Sequence, residues 1–246
     1  KQAFDAVLYA MIGIHISFLW RDIMYFTDEF WQTIKTLYNV ETLQGYTAQE
    51  IQEIQKMCGT LPKVLEEFYQ TAAKTPAFHH VQDKWITPEY YQKHPETWHQ
   101  EDMLLLLAEN QWVCHAGIKK EDLHLDNPSV YVTEDNKQWL LSASTTSEFI
   151  AAVLLYQASF AMEYVFDDVL WLDQEDFEKL EERFERYPFT FQNWLSAGEV
   201  VCYHHAPDHL VNVWDLDGQW QVLYGAANEA AFEKLSEDLA DLGEPM

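Results

Sequence analysis

The sequence predicts a mixed globular fold in which helices precede and follow β-hairpins, and three observations predict it. Apolar residues recur at helical spacing through the first third of the chain. Near Met103 the period changes to the alternation of strands separated by turn residues. The last third then runs through strand, turn, strand and helix once more. Composition supplies the core: 48% of residues are apolar, 15% aromatic and 23% charged, values that exclude general disorder. The 246 residues suffice for one large domain or two modest ones, since domains run to about 100–200 residues.

The elements follow in order. Within residues 3–37, Phe4, Val7, Leu8, Met11 and Phe18 form one apolar stretch and Phe26, Phe30, Ile34 and Leu37 another, which read as two packed helices. Residues 7–20 imitate a signal-peptide core. Asp5 precedes them, however, His15 interrupts them, and no small-residue cleavage site follows before Arg21 and Asp22. The stretch is also shorter than the ~20 apolar residues that a bilayer span requires, so it reads as a buried helix, with secretion as the alternative. Gln44, Gly45 and Tyr46 break the pattern, and Thr47 with Glu50 forms a capping box that turns Ile51 and Ile54 inward. Pro62 restarts a helix with Val64, Leu65, Phe68 and Tyr69 on its apolar face. Residues 74–100, rich in Pro, His and aromatics, read as a long loop with a short helix at 88–92.

Two hairpins come next. Residues 104–108 and 112–118 pair around Glu109, Asn110 and Gln111, and 129–133 pair with 138–143 around residues 134–137. An apolar helix spans 149–162. The last third contains a charged amphipathic helix at 175–187, a strand at 199–205, a hairpin of 210–216 and 219–225 turning at Asp217 and Gly218, and a helix at 228–242. Val130, Val132, Gln138, Trp139 and Glu148 match Val211, Val213, Gln219, Trp220 and Glu229, each displaced by 81 positions. A weak internal repeat explains this match, and so does the shared patterning of any two hairpin-plus-helix units.

Charge bounds the partners. Forty-one acidic residues against fifteen basic ones give a formal net charge of −26, which repels nucleic-acid phosphates and anionic membranes and leaves a basic protein, or mere solubility, as the reason for it. The acidic residues cluster. Residues 163–185 contain Asp167, Asp168, Asp173, Glu175 and Asp176 interleaved with Tyr164, Phe166, Trp171 and Phe177. Carboxylates beside large aromatics suit a docking surface for a basic partner, with solvated helix face and core Trp as the plain alternatives. Asp167, Asp168, Trp171, Asp173, Glu175 and Asp176 are therefore the candidate partner-binding residues, with Glu134 and Asp135 at the hairpin tip as a second patch.

Chemistry-bearing motifs are sparse. His204 and His205 point to opposite faces of a regular strand and cannot share a metal ion, and His79 and His80 with Asp83 form no recognised ligand spacing. Zinc-protease, nucleophile-elbow and phosphate-loop motifs are absent from the sequence. Cys114 and His115 face apart on a strand, so Cys114 reads as a core thiol. Cys58, Cys114 and Cys202 are odd in number and widely spaced, which argues against a disulfide framework and fits a reducing cytoplasm. The expectation is a protein without enzymatic activity, metal or cofactor.

Residues 47–75 (TAQEIQEIQKMCGTLPKVLEEFYQTAAKT) resemble the opening of the SMI1/KNR4 family, also called the SUKH superfamily. Residues 104–118 (LLLLAENQWVCHAGI) look like its strand, turn and strand, 127–131 (NPSVY) like its Pro-containing lead-in to the next strand, and 139–160 like its Ser-rich turn and helix. The resemblance implies an α+β fold with helices packed on a mixed, largely antiparallel sheet over residues 46–246, preceded by a helical extension at 1–45. It also implies an immunity protein that neutralises a basic, nuclease-type toxin by stoichiometric binding. The alternatives are an acidic regulatory module, as in the fungal branch of the family, and a metal-dependent hydrolase that uses the histidines.

Overall fold

Local signals make the first described elements helices. The computed structural model describes residues 25–79, 81–100, 102–135, 137–193, 198–216 and 218–245. The first of the two helices expected within residues 3–37 lies outside the described residues, as do His80 and Asp217. The second is α1 (Asp28–Leu37), where the Thr27 hydroxyl accepts the Phe30 N–H and Phe30, Trp31, Ile34 and Leu37 are buried. α2 (Ala48–Cys58) carries the expected capping box: Thr47 accepts from the Glu50 N–H while the Glu50 carboxylate accepts from the Thr47 N–H. α3 (Lys63–Thr71) begins after Pro62, which stands at the cap, and buries Val64, Leu65, Phe68 and Tyr69. Gly45 passes so near the end of α3 that a Cβ would stand 1.7 Å from the Gln70 carbonyl oxygen; no other residue fits there.

Within residues 74–100 the short helix expected at 88–92 is present, while further short elements replace the long loop expected around it. A 3₁₀ turn (Pro76–Phe78), β1 (Lys84–Trp85), α4 (Pro88–Lys93) and α5 (Pro95–Gln100) occupy this stretch. Elements this short fall below the window in which hydrophobic periodicity can be measured.

The first sheet is an antiparallel run of β1, β2 (Met103–Ala108), β3 (His115–Lys119), β4 (Val130–Thr133) and β5 (Leu140–Ala143) in that order. β3 starts later than its expected position at residue 112, because Trp112 sits in the turn with a left-handed φ of 64° and its ring stacks on Tyr90 with centroids 5.2 Å apart. Gly117 lies within 2.7 Å, measured from a built Cβ, of the Leu104 carbonyl oxygen, a close approach of neighbouring strands.

α6 (Thr146–Ala161) is buried on nearly every side, which is the property of an interior helix. One side meets α1, α3 and β5, and Tyr38 Oη donates to the Leu154 carbonyl at 2.8 Å. The other side carries the second sheet. Its strands and flanking helices are β6 (Tyr164–Val165), β7 (Leu170–Leu172), α7 (Gln174–Arg183), β8 (Glu185–Gln192), β9 (Glu199–His204), β10 (His209–Asp215), β11 (Trp220–Ala226), α8 (Glu229–Leu239) and β12 (Glu244–Pro245). The sheet order is β12-β7-β11-β10-β9-β8, with β6 also paired to β11. The charged helix expected at 175–187 is shorter than its pattern: it stops at Arg183, Phe184 turns extended, and Glu185 opens β8. The final helix likewise ends at Leu239, three residues before the expected position.

Period-two alternation lets β9 and β10 serve two cores. Val200, Cys202 and Leu210 join the large cluster around α6, while Val201, Tyr203, Val211 and Val213 join a second cluster with Leu180, Leu235 and Leu239 from α7 and α8. Asn212 is the polar member of the α6 face. Its Nδ2 donates to the Tyr156 carbonyl at 3.0 Å and to Ser159 Oγ at 2.8 Å, and its Oδ1 accepts from Cys202 Sγ at 2.7 Å.

The molecule is thus an α+β fold with helices packed on two antiparallel sheets. β2 to β5 followed by α6, and β8 to β11 followed by α8, share one plan of four-strand meander and helix. The 81-residue echo falls on equivalent places in that plan. Val130 and Val132 lie on β4 as Val211 and Val213 lie on β10, and Glu148 and Glu229 each stand in the first turn of the closing helix.

Candidate functional site

The far edge of the second sheet carries most of the acidic candidates. β7 pairs with β11 and β12, setting Trp171 opposite Gln221 and Glu244. α7 starts two residues later because the Asp173 carboxylate accepts the Asp176 N–H at 3.0 Å. The β10–β11 turn adds Gly218, whose φ of 89° suits glycine, and the chain after α8 adds Asp241 and Gly243. Together these enclose an open recess of about 500 Å³ lined by Trp171, Asp173, Asp176, Gln219, Asp241 and their neighbours.

The recess is acidic but internally ordered. Asp176 accepts from Lys179 Nζ and from the Gly243 N–H, each at 3.0 Å, and these bonds hold its carboxyl below the usual carboxylate range. Asp241 receives both arms of the Arg183 guanidinium at 2.5 and 2.7 Å, which lowers its carboxyl to about 2. Glu175 is exposed and pairs with Lys179 at 3.1 Å. Asp176 and Asp241 therefore keep their charge, and Trp171 lies in the same lining. Such a recess suits an ammonium or guanidinium group, attracted by the carboxylates and by the ring face.

The structure brings Trp171, Asp173 and Asp176 together and leaves Asp167 and Asp168 outside the lining, on the exposed connection between β6 and β7. Among the described residues those two carboxylates have no hydrogen-bond or ion-pair partner. Sequence reasoning missed Asp241, Gly218 and Gln219, which reach the recess only through strand pairing; the Asp-Gly turn signal located the loop but not its neighbour.

Glu134 and Asp135 lie elsewhere. They stand at the β4–β5 tip, where Asp135 accepts the Lys137 and Gln138 N–H groups at 2.9 Å, bonds that lower its pKa. β5 neighbours β8, at the opposite edge of the second sheet from β7. Four inter-strand steps separate β7 from β8, roughly 19 Å at about 4.8 Å per step, so the two acidic patches do not merge.

A third acidic feature is internal. Asp83 is 3% exposed, and burial, followed by the nearby charge of Glu109, raises its carboxyl to about 7. The Asp83 N–H donates to Gln157 Oε1 at 2.8 Å, tying this pair to α6. The thiols are also interior in character. Burial lifts Cys114, and it lifts Cys58 to about 11, against any nucleophilic use at neutral pH. No group of three or more His, Cys, Asp or Glu side chains is placed to hold a metal ion among the described residues, and His204 and His205 lie on β9 and just past its end. No helix among the described residues is long and apolar enough to cross a membrane. Comparisons with protein families, with curated proteins and with solved structures give no match for this chain.

Proposed function

We propose that this chain binds a basic protein, and that it acts as an immunity protein that neutralises a nuclease-type toxin by stoichiometric occlusion. The observation that carries the reading is the placement of charge: a net −26 in which three carboxylates and an indole converge on one open recess. The SMI1/KNR4-like segments at 47–75, 104–118 and 127–131 support the immunity reading. A nuclease presents Lys and Arg to phosphates, and an acidic surface offers those side chains an alternative partner. Long-range attraction steers such a pair together at up to about 10⁸–10⁹ M⁻¹s⁻¹ at low salt. The protein carries out no bond-breaking step; its effect is to cover the toxin's site.

The test is association kinetics against basic, nuclease-type toxins. A one-to-one complex is expected, with an on-rate that falls as salt rises. Asp167→Lys combined with Asp168→Lys is the clean variant, because neither side chain supports the fold. Reversing Asp173 or Asp176 would also disturb α7 and Gly243. The double reversal should slow association about ten-fold at low salt by weakening attraction towards the neighbouring recess, and an unchanged on-rate would show that the partner does not approach over this edge of the sheet.

A further inference from the structure

The two sheets meet edge to edge, and the meeting is incomplete. β5 closes the first sheet and β8 opens the second. Ser142 Oγ donates to the Gln192 carbonyl at 2.9 Å and pins one end of the seam. Among the described residues no backbone ladder joins the two strands. Instead a cavity of about 280 Å³ opens beside them, lined by Val132, Glu134, Asp135, Leu140, Leu141 and Gln192 among others.

The two edges are not alike. β8 carries Pro188 inside a register break between Arg186 and Thr190, and proline and irregular pairing are how edge strands are kept from pairing with other chains. β5 has an irregularity of its own, a register shift against β4 that skips Ser142, but its pairing is regular at Leu140 and Leu141 and it holds no proline. Leu140 is 52% exposed and Leu141 53% exposed, and consecutive residues of a strand point to opposite faces, so β5 shows apolar side chains on both. In an antiparallel ladder the N–H and C=O of one residue point to the same side and alternate along the strand. One of these two leucines therefore turns both backbone groups away from β4, towards the gap.

Charge selects the occupant. Glu134 and Asp135 stand at the mouth of the gap, and the whole chain carries −26. A second copy would bring the same −26 and the same two carboxylates against each other. We propose that the β5 edge takes an extended segment of a basic partner protein as an added strand, its apolar side chains against Leu140 and Leu141 and a Lys or Arg against Glu134 and Asp135. This deepens the proposed function and rests on its reading of the chain as a binder of basic proteins; the seat itself is distinct from the Trp171 recess. Backbone pairing would supply the affinity, and the alternating side chains the selectivity.

Fluorescence anisotropy with a labelled octapeptide of alternating Lys and Val tests it, beside its Glu-for-Lys counterpart and a form N-methylated at alternate residues. The expected result is saturable binding of the Lys peptide alone. Leu140→Thr with Leu141→Thr should weaken it at least about ten-fold, Glu134→Gln about three-fold, and Asp167→Lys with Asp168→Lys should change it little. All these positions are exposed, and Thr keeps strand propensity, so the fold is retained; far-ultraviolet circular dichroism checks that. Equal binding of the N-methylated peptide, or unaltered binding by the leucine variants, would overturn edge pairing. So would a wild-type dimer in sedimentation velocity that the leucine variants convert to monomer. If the basic partner protein binds wild type and leucine variants alike, the seat fails while the function stands. If it binds neither, the function itself fails.

Discussion

Asp83 illustrates what a single residue decides here. Its folded carboxyl titrates near 7 because it is buried beside Glu109, whereas in the unfolded chain it titrates near 3.9. Between those values the native state holds a proton that the unfolded chain has released, so this residue's contribution makes stability fall as pH rises from about 4 to about 7, then level off. Asp83→Asn keeps the shape and the backbone bond to Gln157 and removes the charge. It should stabilise the protein by roughly 2 kcal/mol at pH 8 and flatten the slope between pH 4.5 and 7, read from urea midpoints across that range. A slope as steep as the wild type's would show that another group sets it. In the sequence Asp83 was visible only as a neighbour of two histidines. Its pairing with Glu109 comes from the register of β1 on β2, Lys84 opposite Ala108, and no local pattern encodes a register.

Among elements, those with local signals were legible in advance and those made by pairing were not. Thr47 and Glu50 announced α2, and the Asp-Gly turn announced the β10–β11 hairpin. β8 was hidden because its sequence, ERYPFTFQ, opens with charge continuing from α7 and contains a proline, and because its half-exposed alternation is interrupted by the register break. β6 and β7 are two and three residues long and become strands only through β11. α7 itself separates structure from charge at the recess. Asp173→Ala should cost about 1 kcal/mol through loss of the helix cap. Asp173→Asn keeps the capping oxygen and should lie within a few tenths of the wild type; thermal unfolding of the two variants reads the difference directly. A steric test belongs to α3. Gly45→Ala should destabilise by about 2 kcal/mol or more, because the atom that its Cβ meets is backbone rather than a movable side chain.

At the scale of the whole molecule, β9 and β10 give alternate side chains to two cores, so neither core can open without uncovering the other. Urea unfolding followed by circular dichroism and by tryptophan fluorescence should therefore give superimposable single transitions. Two separated transitions would mean that α7, α8 and their cluster melt alone. The excess negative charge should also make the melting temperature rise with moderate salt, as self-repulsion is screened. α6 has a consequence in time as well as in space. Its apolar surface leaves the ribosome before β8 to β11, the strands that cover one side of it, have been synthesised. At ~5–20 residues per second, the interval between completing Ala161 and completing Ala226 lasts roughly 3–13 s, during which a helix built for the interior stands half uncovered. The nascent chain thus has a defined window for capture by a chaperone, and codon choice across β8 to β11 sets how long that window stays open.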